Sequence, residues 1–333
     1  MKALRTLAFA VVALLAACSP GKKDEAATTP SGNAPVTIRF ATDWRAQAEH
    51  GGFYQALASG EYARRGLKVE IVQGGPGVNV PQLLASNAVD LGMGSNSFIV
   101  MNLAQEGVPV KAVAAFMQKD PQVLIAHPDT GAEKIADLKG RPILLSDASV
   151  TAFWVWLKAK YGFTDDQVRK YNFNSAPFLA DKRAVQQGYV TSEPYTIEKM
   201  AGLKAKVFLL ADEGYPGYAT MVLATDAMIA KNPAAVKAFV EASAQGWRDY
   251  LAGDPAAADA LIRKDNPEMT ADVLAQAREK LRSYKIIDGA EGAPTGAMTD
   301  ARWTAFSDMA KAQGVYPKTL DARKAYTLAF SPK

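Results

Sequence analysis

Between Val36 and Phe116, short strand-like runs alternate with longer helix-like stretches, and this order restricts the chain to the α/β class. The period-two alternation of Leu67 to Val72 is typical of a strand, whereas the longer amphipathic stretches favour helices. The pattern predicts strands over 36–40, 67–72, 89–93 and 110–116, and helices over 53–65, 80–87 and 97–105. Regular alternation of this kind predicts a parallel sheet with helices on both faces.

A second series of the same kind begins near Arg141. It predicts a helix over 150–161, a further helix opening at Thr164 with capping-box spacing, and strands over 141–146, 169–173, 188–191, 206–211 and 218–224. From Asp226 onward the sequence is nearly all helical. Asn232-Pro233 and Asp254-Pro255 each supply an N-cap followed by proline at the first helical position. The chain therefore ends in helices without a new sheet.

The helical tail needs a surface to pack on, and the economical arrangement returns it to the first lobe. The second lobe is then an insertion, with crossings near 118–127 and 215–225. We predict that lobe one comprises 36–122 and 221–333, and that lobe two comprises 123–220. Two such lobes, joined by a pair of crossings, place a cleft at the carboxyl ends of both sheets, where ligands of open α/β sheets bind.

The first eighteen residues have the pattern of a secretory signal. Met1–Arg5 is basic, and the apolar run Thr6–Ala17 is shorter than the roughly 20 residues that span a bilayer. Leu15-Ala16-Ala17-Cys18 resembles the bacterial lipobox, so residues 1–17 are the predicted signal peptide and Cys18 the predicted lipidation site. Residues 18–35, rich in Pro, Gly, Ser and Thr, are the predicted flexible tether.

The alternative is a plain signal peptide with an incidental cysteine. The lipoprotein interpretation is favoured because Cys18 is the only cysteine in the chain and stands where lipidation would use it. Several acyl chains on one residue give stable anchoring. We therefore expect an exported, periplasmic protein held to the cell envelope by its lipid.

Composition narrows the classes of function. The 38 Lys and Arg against 34 Asp and Glu give a formal charge of +4, too mild to indicate a nucleic-acid partner. One cysteine excludes internal disulfides and four-thiolate zinc sites, and two histidines leave little for metal binding or acid/base catalysis. These counts favour a binding protein over a catalytic one, and no metal or cofactor is expected.

Several segments together resemble a known family. They are Phe40–Trp44, Glu49–Ala56, Gly60–Val69, Asn87–Gly94, Ala136–Gly140 and Ser192–Tyr195. In this order and spacing they resemble periplasmic substrate-binding proteins of ABC importers, in the SsuA-like group related to thiamine pyrimidine synthases and to sulfonate binders. The resemblance covers essentially everything from Val36 to the C-terminus. It implies a two-lobe (type II) periplasmic-binding-protein fold with the helical C-terminal region on lobe one.

The same resemblance implies the partners of the protein. A small-molecule ligand would be captured between the lobes and delivered to an ABC permease and its ATPase. Membrane contact would come only through the lipid anchor, and no nucleic acid is expected to bind. A monomer is the default expectation.

In lobe one the candidate ligand contacts follow predicted strand ends, which face the cleft. They are Trp44, His50, Gly51, Tyr54, Ser95 and Asn96. Trp44 offers a flat apolar face and one N–H donor, and its place past the strand favours the cleft over the core. His50 either contacts the ligand or caps a helix. Ser95 or Asn96 can cap the next helix and bind a ligand as well. Gln118–Asp120 lies at the first crossing. We interpret it as part of the hinge or of the cleft rim in preference to a ligand contact.

The candidates in and near lobe two include several aromatic side chains. They are Phe153, Trp154, Tyr189, Glu193, Tyr195 and Tyr218. Aromatic residues at helical spacing are more often core, so we expect one of the rings in Phe153-Trp154-Val155-Trp156 to be buried. Glu193 is the most specific candidate, because a carboxylate directly after an apolar strand could accept hydrogen bonds from an amino group and a ring N–H. The alternative is that Glu193 caps the helix over 194–200.

This inventory constrains the ligand. Sulfonate, nitrate or taurine would require basic residues or an anion nest, and the predicted strand-end turns show few basic residues and many rings. Rings and a carboxylate suit a flat, nitrogen-rich heterocycle. In the family that the chain resembles, such ligands include aminopyrimidine precursors of thiamine, and some relatives take riboflavin. The sulfonate, nitrate or taurine binders of the same fold remain the alternative.

A thiamine pyrimidine synthase is the enzymatic alternative. In that family a lysine follows the Asp-Met-Gly strand, and a donor histidine lies four residues beyond it. Alignment on Asp90–Gly92 places Gly94 and Phe98 at these positions, and the synthase cysteine cluster is also missing. The resemblance therefore implies a protein that is not an enzyme. A serine–histidine pair of Ser146 and His127 would need the fold to bring them together. A scaffold or adhesin is a third class, disfavoured by the cleft.

Overall fold

The computed structural model describes residues 34–288 and 292–332. The predicted signal peptide, Cys18 and the tether up to residue 33 lie outside these residues. Among the helices of the described ranges, none combines the length and the apolar character that crossing a bilayer requires.

Ten strands form two five-stranded sheets in the described part of the chain. The strands are β1 (Val36–Ala41), β2 (Leu67–Val72), β3 (Leu91–Asn96), β4 (Val110–Met117), β5 (Gln122–Ala126), β6 (Ile143–Leu145), β7 (Val168–Lys170), β8 (Val185–Tyr189), β9 (Lys206–Leu209) and β10 (Ala219–Thr225). The first sheet has the order β2-β1-β3-β10-β4, and the second has the order β7-β6-β8-β5-β9.

Both sheets are mixed, which corrects the predicted parallel arrangement. In the first, β1 pairs in parallel with β2 and β3, whereas β10 runs antiparallel to β3 and β4. In the second, β6 pairs in parallel with β7 and β8, whereas β5 runs antiparallel to β8 and β9. The antiparallel strands β5 and β10 are the ones that directly follow a crossing. Each begins beside the C-terminal end of a parallel strand, since Gln122 pairs with Tyr189 and Ala219 pairs with Asn96. It therefore runs in the opposite direction to that strand.

Thirteen α-helices lie in the described ranges. They are α1 (Gly51–Ala58), α2 (Glu61–Arg64), α3 (Val80–Ala85), α4 (Ser97–Gln105), α5 (Asp147–Val150), α6 (Phe153–Tyr161), α7 (Ala176–Ala180), α8 (Glu193–Ala201), α9 (Asp226–Lys231), α10 (Pro233–Ala252), α11 (Ala256–Asp265), α12 (Ala271–Ser283) and α13 (Asp300–Ala312). Short 3₁₀ helices cover Ala48–His50, Ile135–Leu138, Asp165–Gln167 and Ala322–Lys324.

Several element boundaries differ from the predictions. The predicted helix over 53–65 is two helices, because Gly60 adopts a left-handed conformation with φ 77° between them. The stretch 150–161 is likewise divided between α5 and α6. The capping box at Thr164 opens only a 3₁₀ turn. Strand β5 lies within 118–127, the range that the sequence indicates as a crossing, and the sequence does not predict α7.

The C-terminal helices return to the first sheet, as the resemblance implied. Helix α10 packs against α1, and the contact depends on glycines at both surfaces. A Cβ on Gly51 would lie 2.0 Å from the Tyr250 ring, and one on Gly52 would lie 2.2 Å from the Trp247 ring. Farther along, Tyr326 forms a parallel bridge with Ala112 of β4. The end of the described chain therefore covers the first sheet.

Candidate ligand-binding cleft

A cavity of about 630 Å³ lies between the two sheets. The first sheet contributes residues that end or follow β1, β3 and β4, and the second contributes residues that end or follow β6, β7 and β8. The residues include Trp44, Asn96, Asp120, Ser146, Phe173 and Glu193. This volume is within the range of small-molecule binding sites, so the cavity is large enough for a ring system with substituents.

Two aromatic side chains approach each other across the cleft. Trp44 follows β1 and Phe173 follows β7, and their ring centroids are 5.1 Å apart at an interplanar angle of 41°. Tyr171 lies 5.3 Å behind Phe173. Phe173 is 57% exposed and has φ 57°, a conformation that costs energy for a bulky side chain. An exposed ring held in this way is available to stack on a ligand.

The charged groups around the cavity are all acidic. They are Asp43, Glu49, Asp120, Glu193 and Glu268. Among the described residues that line the cavity, none is lysine, arginine or histidine. An anionic ligand would meet only like charges here, whereas a cation or a donor of several N–H groups would meet carboxylate acceptors.

Glu193 is held against the end of β8. Its Oε2 accepts a hydrogen bond from the backbone N–H of Tyr189 at 2.8 Å, so the carboxylate points back toward the strand rather than capping α8. Gly188 makes room for it, because a Cβ on that glycine would lie 2.8 Å from the Glu193 Cβ. Burial raises the pKa of Glu193 to about 7, although the Tyr189 N–H favours the ionised form. Its carboxyl group can therefore hold or release a proton near neutral pH.

Asp120 and Glu49 are buried more deeply, with relative exposures of 1% and 4%. One Asp120 oxygen accepts the Gln122 N–H at 3.0 Å, and one Glu49 oxygen accepts the Thr191 hydroxyl. Burial raises the pKa of Asp120 to about 7, against the Gln122 N–H and the nearby Arg302 guanidinium, which lower it. Burial also raises the pKa of Glu49, and the Thr191 hydroxyl opposes that shift.

Half of the predicted site residues line the cavity. They are Trp44, Ser95, Asn96, Phe153, Tyr189 and Glu193. Asn96 also caps α4, since its side chain accepts the Phe98 N–H at 3.0 Å. The structure thus brings together the strand-end residues of both sheets around one cavity. Their role in binding stays a prediction.

The three predicted residues from 50 to 54 lie behind the cavity. His50 is fully buried and contacts the cleft residue Asp43 through Nε2 at 3.2 Å. Gly51 faces the Tyr250 ring, where no larger residue fits. The Tyr54 hydroxyl donates to Asp265 at 2.8 Å. This segment packs α1 onto the C-terminal helices, and only His50 adjoins a residue of the cleft.

The three other predicted residues outside the lining are also held by contacts elsewhere. The Trp154 indole N–H donates to Asp165 at 2.8 Å, and its ring is buried. The rings of Phe153 and Trp156 are buried as well, so the run places three rings in the core where one was expected. The Tyr195 hydroxyl donates to Asp272 of α12 at 2.6 Å. The buried ring of Tyr218 lies under the Arg302 guanidinium, 4.1 Å from the ring centroid.

Ser146 and His127, the possible serine–histidine pair, each contact other residues in the structure. His127 Nε2 lies 2.8 Å from the carbonyl oxygen of Phe178, and its ring stacks on the Phe178 ring. The Ser146 hydroxyl pairs with that of Ser149 at 3.0 Å. Neither contact forms the hydrogen bond between serine and histidine that nucleophilic catalysis requires.

Several lining residues were missing from the predicted set. They are Glu49, Tyr171, Phe173, Gln187 and Tyr215. The usable signal was polarity within an otherwise apolar run, as for Gln187 in β8, which is only 6% exposed. The sequence favoured a hinge or rim position for Asp120 over a ligand contact, yet this residue lines the cavity. Its neighbour Gln118 instead binds the carbonyls of Ala115 and Ala297.

The family described as NMT1/THI5 like matches residues 47–258, which is more than half of the chain. The chain belongs to the NMT1/THI5-like family. The matched range of this NMT1/THI5-like protein contains most of the cavity lining, from Gln47 to Tyr215.

Curated relatives of this NMT1/THI5-like chain include both binding proteins and enzymes. The riboflavin-binding protein RibY of Chloroflexus aurantiacus is 26% identical, over 98% of this chain and 97% of that protein. The formylaminopyrimidine-binding protein of Halalkalibacterium halodurans is 22% identical, over 84% and 85%. A 4-amino-5-hydroxymethyl-2-methylpyrimidine phosphate synthase of Aspergillus parasiticus is 24% identical, over 66% and 68%.

The fold of this NMT1/THI5-like chain is similar to that of solved structures. The periplasmic aliphatic sulphonate binding protein SsuA of Escherichia coli superposes with a TM-score of 0.66 at 17% identity, over 87% of this chain and 97% of that one. The α/β periplasmic-binding-protein fold that the resemblance implied is therefore confirmed.

Proposed function

We propose that this protein is the substrate-binding component of an ABC importer and captures a flat nitrogen heterocycle, aminopyrimidine-like or flavin-like, in the cleft. The observation that carries the proposal is the pairing of the Trp44 and Phe173 rings with the Glu193 carboxylate in a cavity lined by no basic residue of the described chain. The rings supply stacking surfaces, and the carboxylate accepts ring or amino N–H groups. The binding proteins for riboflavin and for formylaminopyrimidine among its relatives support this class of ligand.

The charge of the cavity argues against the anionic alternatives. Sulfonate, nitrate and taurine recognition calls for guanidinium or ammonium groups, or for converging backbone N–H groups. The charged side chains that line this cavity are carboxylates. The likeness to SsuA is therefore interpreted as one of fold and not of ligand.

Binding without catalysis is also part of the proposal. The positions that align with the synthase lysine and histidine are Gly94 and Phe98. A Cβ on Gly94 would lie 3.2 Å from Leu223, and the Phe98 ring is buried 4.8 Å from that of Phe306. Both positions pack against neighbouring side chains, so neither supplies the lysine of a Schiff base or the donor histidine.

The mechanism that we propose is closure of two lobes on the ligand. Lobe one would comprise 36–122 and 221–333, and lobe two would comprise 123–220. The closed monomer would then dock on the permease, whose ATPase drives release. Export by the segment 1–17 and a lipid on Cys18 would keep the protein at the cell envelope, tethered through 18–35.

Thermal unfolding of the purified protein tests the ligand class. The panel contains 4-amino-5-hydroxymethyl-2-methylpyrimidine, formylaminopyrimidine, riboflavin, taurine and nitrate. A heterocycle at 100 times its Kd should add about 2.7 kcal/mol to the free energy of unfolding. Glu193→Gln should weaken that ligand about tenfold or more, since hydrogen bonds to a charged group contribute about 1.5–3 kcal/mol. Glu198→Gln, an exposed carboxylate on the same helix, is the matched control. Stabilisation by taurine or nitrate alone would overturn the proposal.

A further inference from the structure

The inner part of the cleft holds acidic groups that the proposed heterocycle site does not use. Asp120 and Glu49 are nearly inaccessible, yet each engages only one carboxylate oxygen in a hydrogen bond with the described residues. A buried carboxylate is costly unless it is paired or fully hydrogen-bonded. Both residues line the cavity, so a molecule bound there lies beside them.

Nearby cations are occupied elsewhere. Arg302 lowers the pKa of Asp120 through its charge, but its hydrogen bonds within the described residues go to backbone carbonyls, those of Pro216 at 3.0 Å and Gly217 at 2.8 Å among them. His50 directs its Nε2 to Asp43. Neither group donates a hydrogen bond to the second carboxylate oxygen of Asp120 or of Glu49 within the described residues.

A neutral hydroxyl gives an independent indication of a ligand here. Tyr215 is 2% exposed and lines the cavity, and its hydroxyl has no hydrogen-bond partner in the described ranges. The neighbouring Tyr189 is partly buried and also lines the cavity, and the pKa of this tyrosine is raised by burial and by the surrounding charges of Asp120, Asp43, Glu49 and Glu193. Phenol oxygens without partners beside carboxylates form an environment suited to N–H donors.

We infer that Asp120 and Glu49, with the hydroxyls of Tyr189 and Tyr215, form a cation subsite that binds a positively charged amine or amidine substituent of the ligand. This inference rests on the proposed function and sharpens it: the ligand carries a positive charge on or beside its ring. Stacking near Trp44 and Phe173 would hold the ring, and the subsite would hold the charged substituent. An uncharged flavin leaves both carboxylates unpaired and should bind more weakly.

Two pyrimidines that differ in one group test the subsite. In 4-amino-5-aminomethyl-2-methylpyrimidine the substituent is an ammonium at pH 7, and in the 5-hydroxymethyl analogue it is neutral. Titration calorimetry of the full protein should show the aminomethyl compound binding at least tenfold more tightly at low salt. Asp120→Asn and Glu49→Gln should each reduce that preference about tenfold. Glu198→Gln, outside the cleft, should preserve it.

The outcomes separate the two proposals. Equal affinity for both compounds in the wild-type protein overturns the cation subsite and leaves the heterocycle site standing. Failure of every heterocycle to bind overturns the proposed function itself. The comparison of the two pyrimidines on the wild-type protein decides the question by itself. The test therefore does not depend on whether the variants fold. Far-ultraviolet circular dichroism identifies such a variant.

Discussion

The rings of Trp44 and Phe173 meet across the cleft, with centroids 5.1 Å apart, although one follows the first sheet and the other the second. Aromatic pairs favour such tilted or offset arrangements over a face-to-face sandwich. The Tyr171 ring supports Phe173 from behind at 5.3 Å. The pair therefore joins stacking surfaces from both sides of the cavity.

Replacing either ring should weaken heterocycle binding. Trp44→Ala and Phe173→Ala should each raise the Kd about 5- to 150-fold, since stacking on an aromatic side chain contributes about 1–3 kcal/mol. Trp44→Phe should retain most of the affinity. Tyr195→Phe removes only a hydroxyl bound to Asp272 outside the cavity and serves as the control. Fluorescence or calorimetric titration measures the change. Unchanged affinity in both alanine variants would place the ligand elsewhere.

The raised pKa values of Glu193 and Asp120, both about 7, predict a loss of stability of the unliganded protein as the pH rises. Ordinary values are 4.5 and 3.8, so between about pH 4 and pH 7 the native state holds protons that the unfolded chain has released. The free energy of unfolding should therefore fall through this window and level off above it.

Urea unfolding at pH 5 and pH 8 measures this loss. The double variant Glu193→Gln/Asp120→Asn should show a decrease about 1–3 kcal/mol smaller than the wild type, because one pKa unit corresponds to about 1.4 kcal/mol. Glu198→Gln should follow the wild type. Identical pH profiles for the wild type and the double variant would show that neither carboxyl titrates as described.

Helix packing at the start of α1 should be intolerant of a single methyl group. A Cβ on Gly51 or Gly52 would overlap the ring of Tyr250 or Trp247. Gly51→Ala and Gly52→Ala should each cost about 1–3 kcal/mol through overpacking, although alanine favours helices in general. A double-mutant cycle of Gly51→Ala with Tyr250→Ala should show positive coupling. Additive costs would mean that the ring is not what excludes the methyl group.

Arg302 binds both connections between the sheets. Its guanidinium donates to the carbonyl of Gln118 in one connection and to those of Pro216 and Gly217 in the other. Arg302→Met should lower the free energy of unfolding by about 2 kcal/mol, since the charge-assisted bonds are lost. Arg302→Lys should restore only part of it, because an ammonium lacks the planar fork. The exposed Arg263→Met is the control in urea unfolding. A loss no larger than that control would contradict this role.

Local patterns predicted the elements that depend on local interactions. Helix α4 and strand β2 have the predicted bounds, because a cap or a strict alternation marks them in the sequence. Strand β5 was missed since its run Gln122–Ala126 lacks alternation and adjoins the crossing. The direction of β5 and β10 depends on how the chain returns between sheets, which no local pattern encodes.

The candidate site divides in the same way. Strand ends are visible in the sequence, and so Trp44, Ser95 and Glu193 were identified. Glu49 was missed because its burial depends on Thr191, which is 142 positions away. The His50-Gly51 segment was assigned to the ligand because the Tyr250 ring that packs against Gly51 is still more remote in sequence.

The insertion of β5 between β8 and β9, and of β10 between β3 and β4, has a mechanical consequence. Each connection runs from the edge strand of one sheet, β4 or β9, to an inner strand of the other sheet, β5 or β10. In the lobe closure that we propose, Asp120 lies in one of these connections and should move little, whereas the exposed Phe173 should move farther. The inner end of the cavity should therefore be selective for the size of the substituent that it binds. The outer rings should adapt to the rest of the ligand.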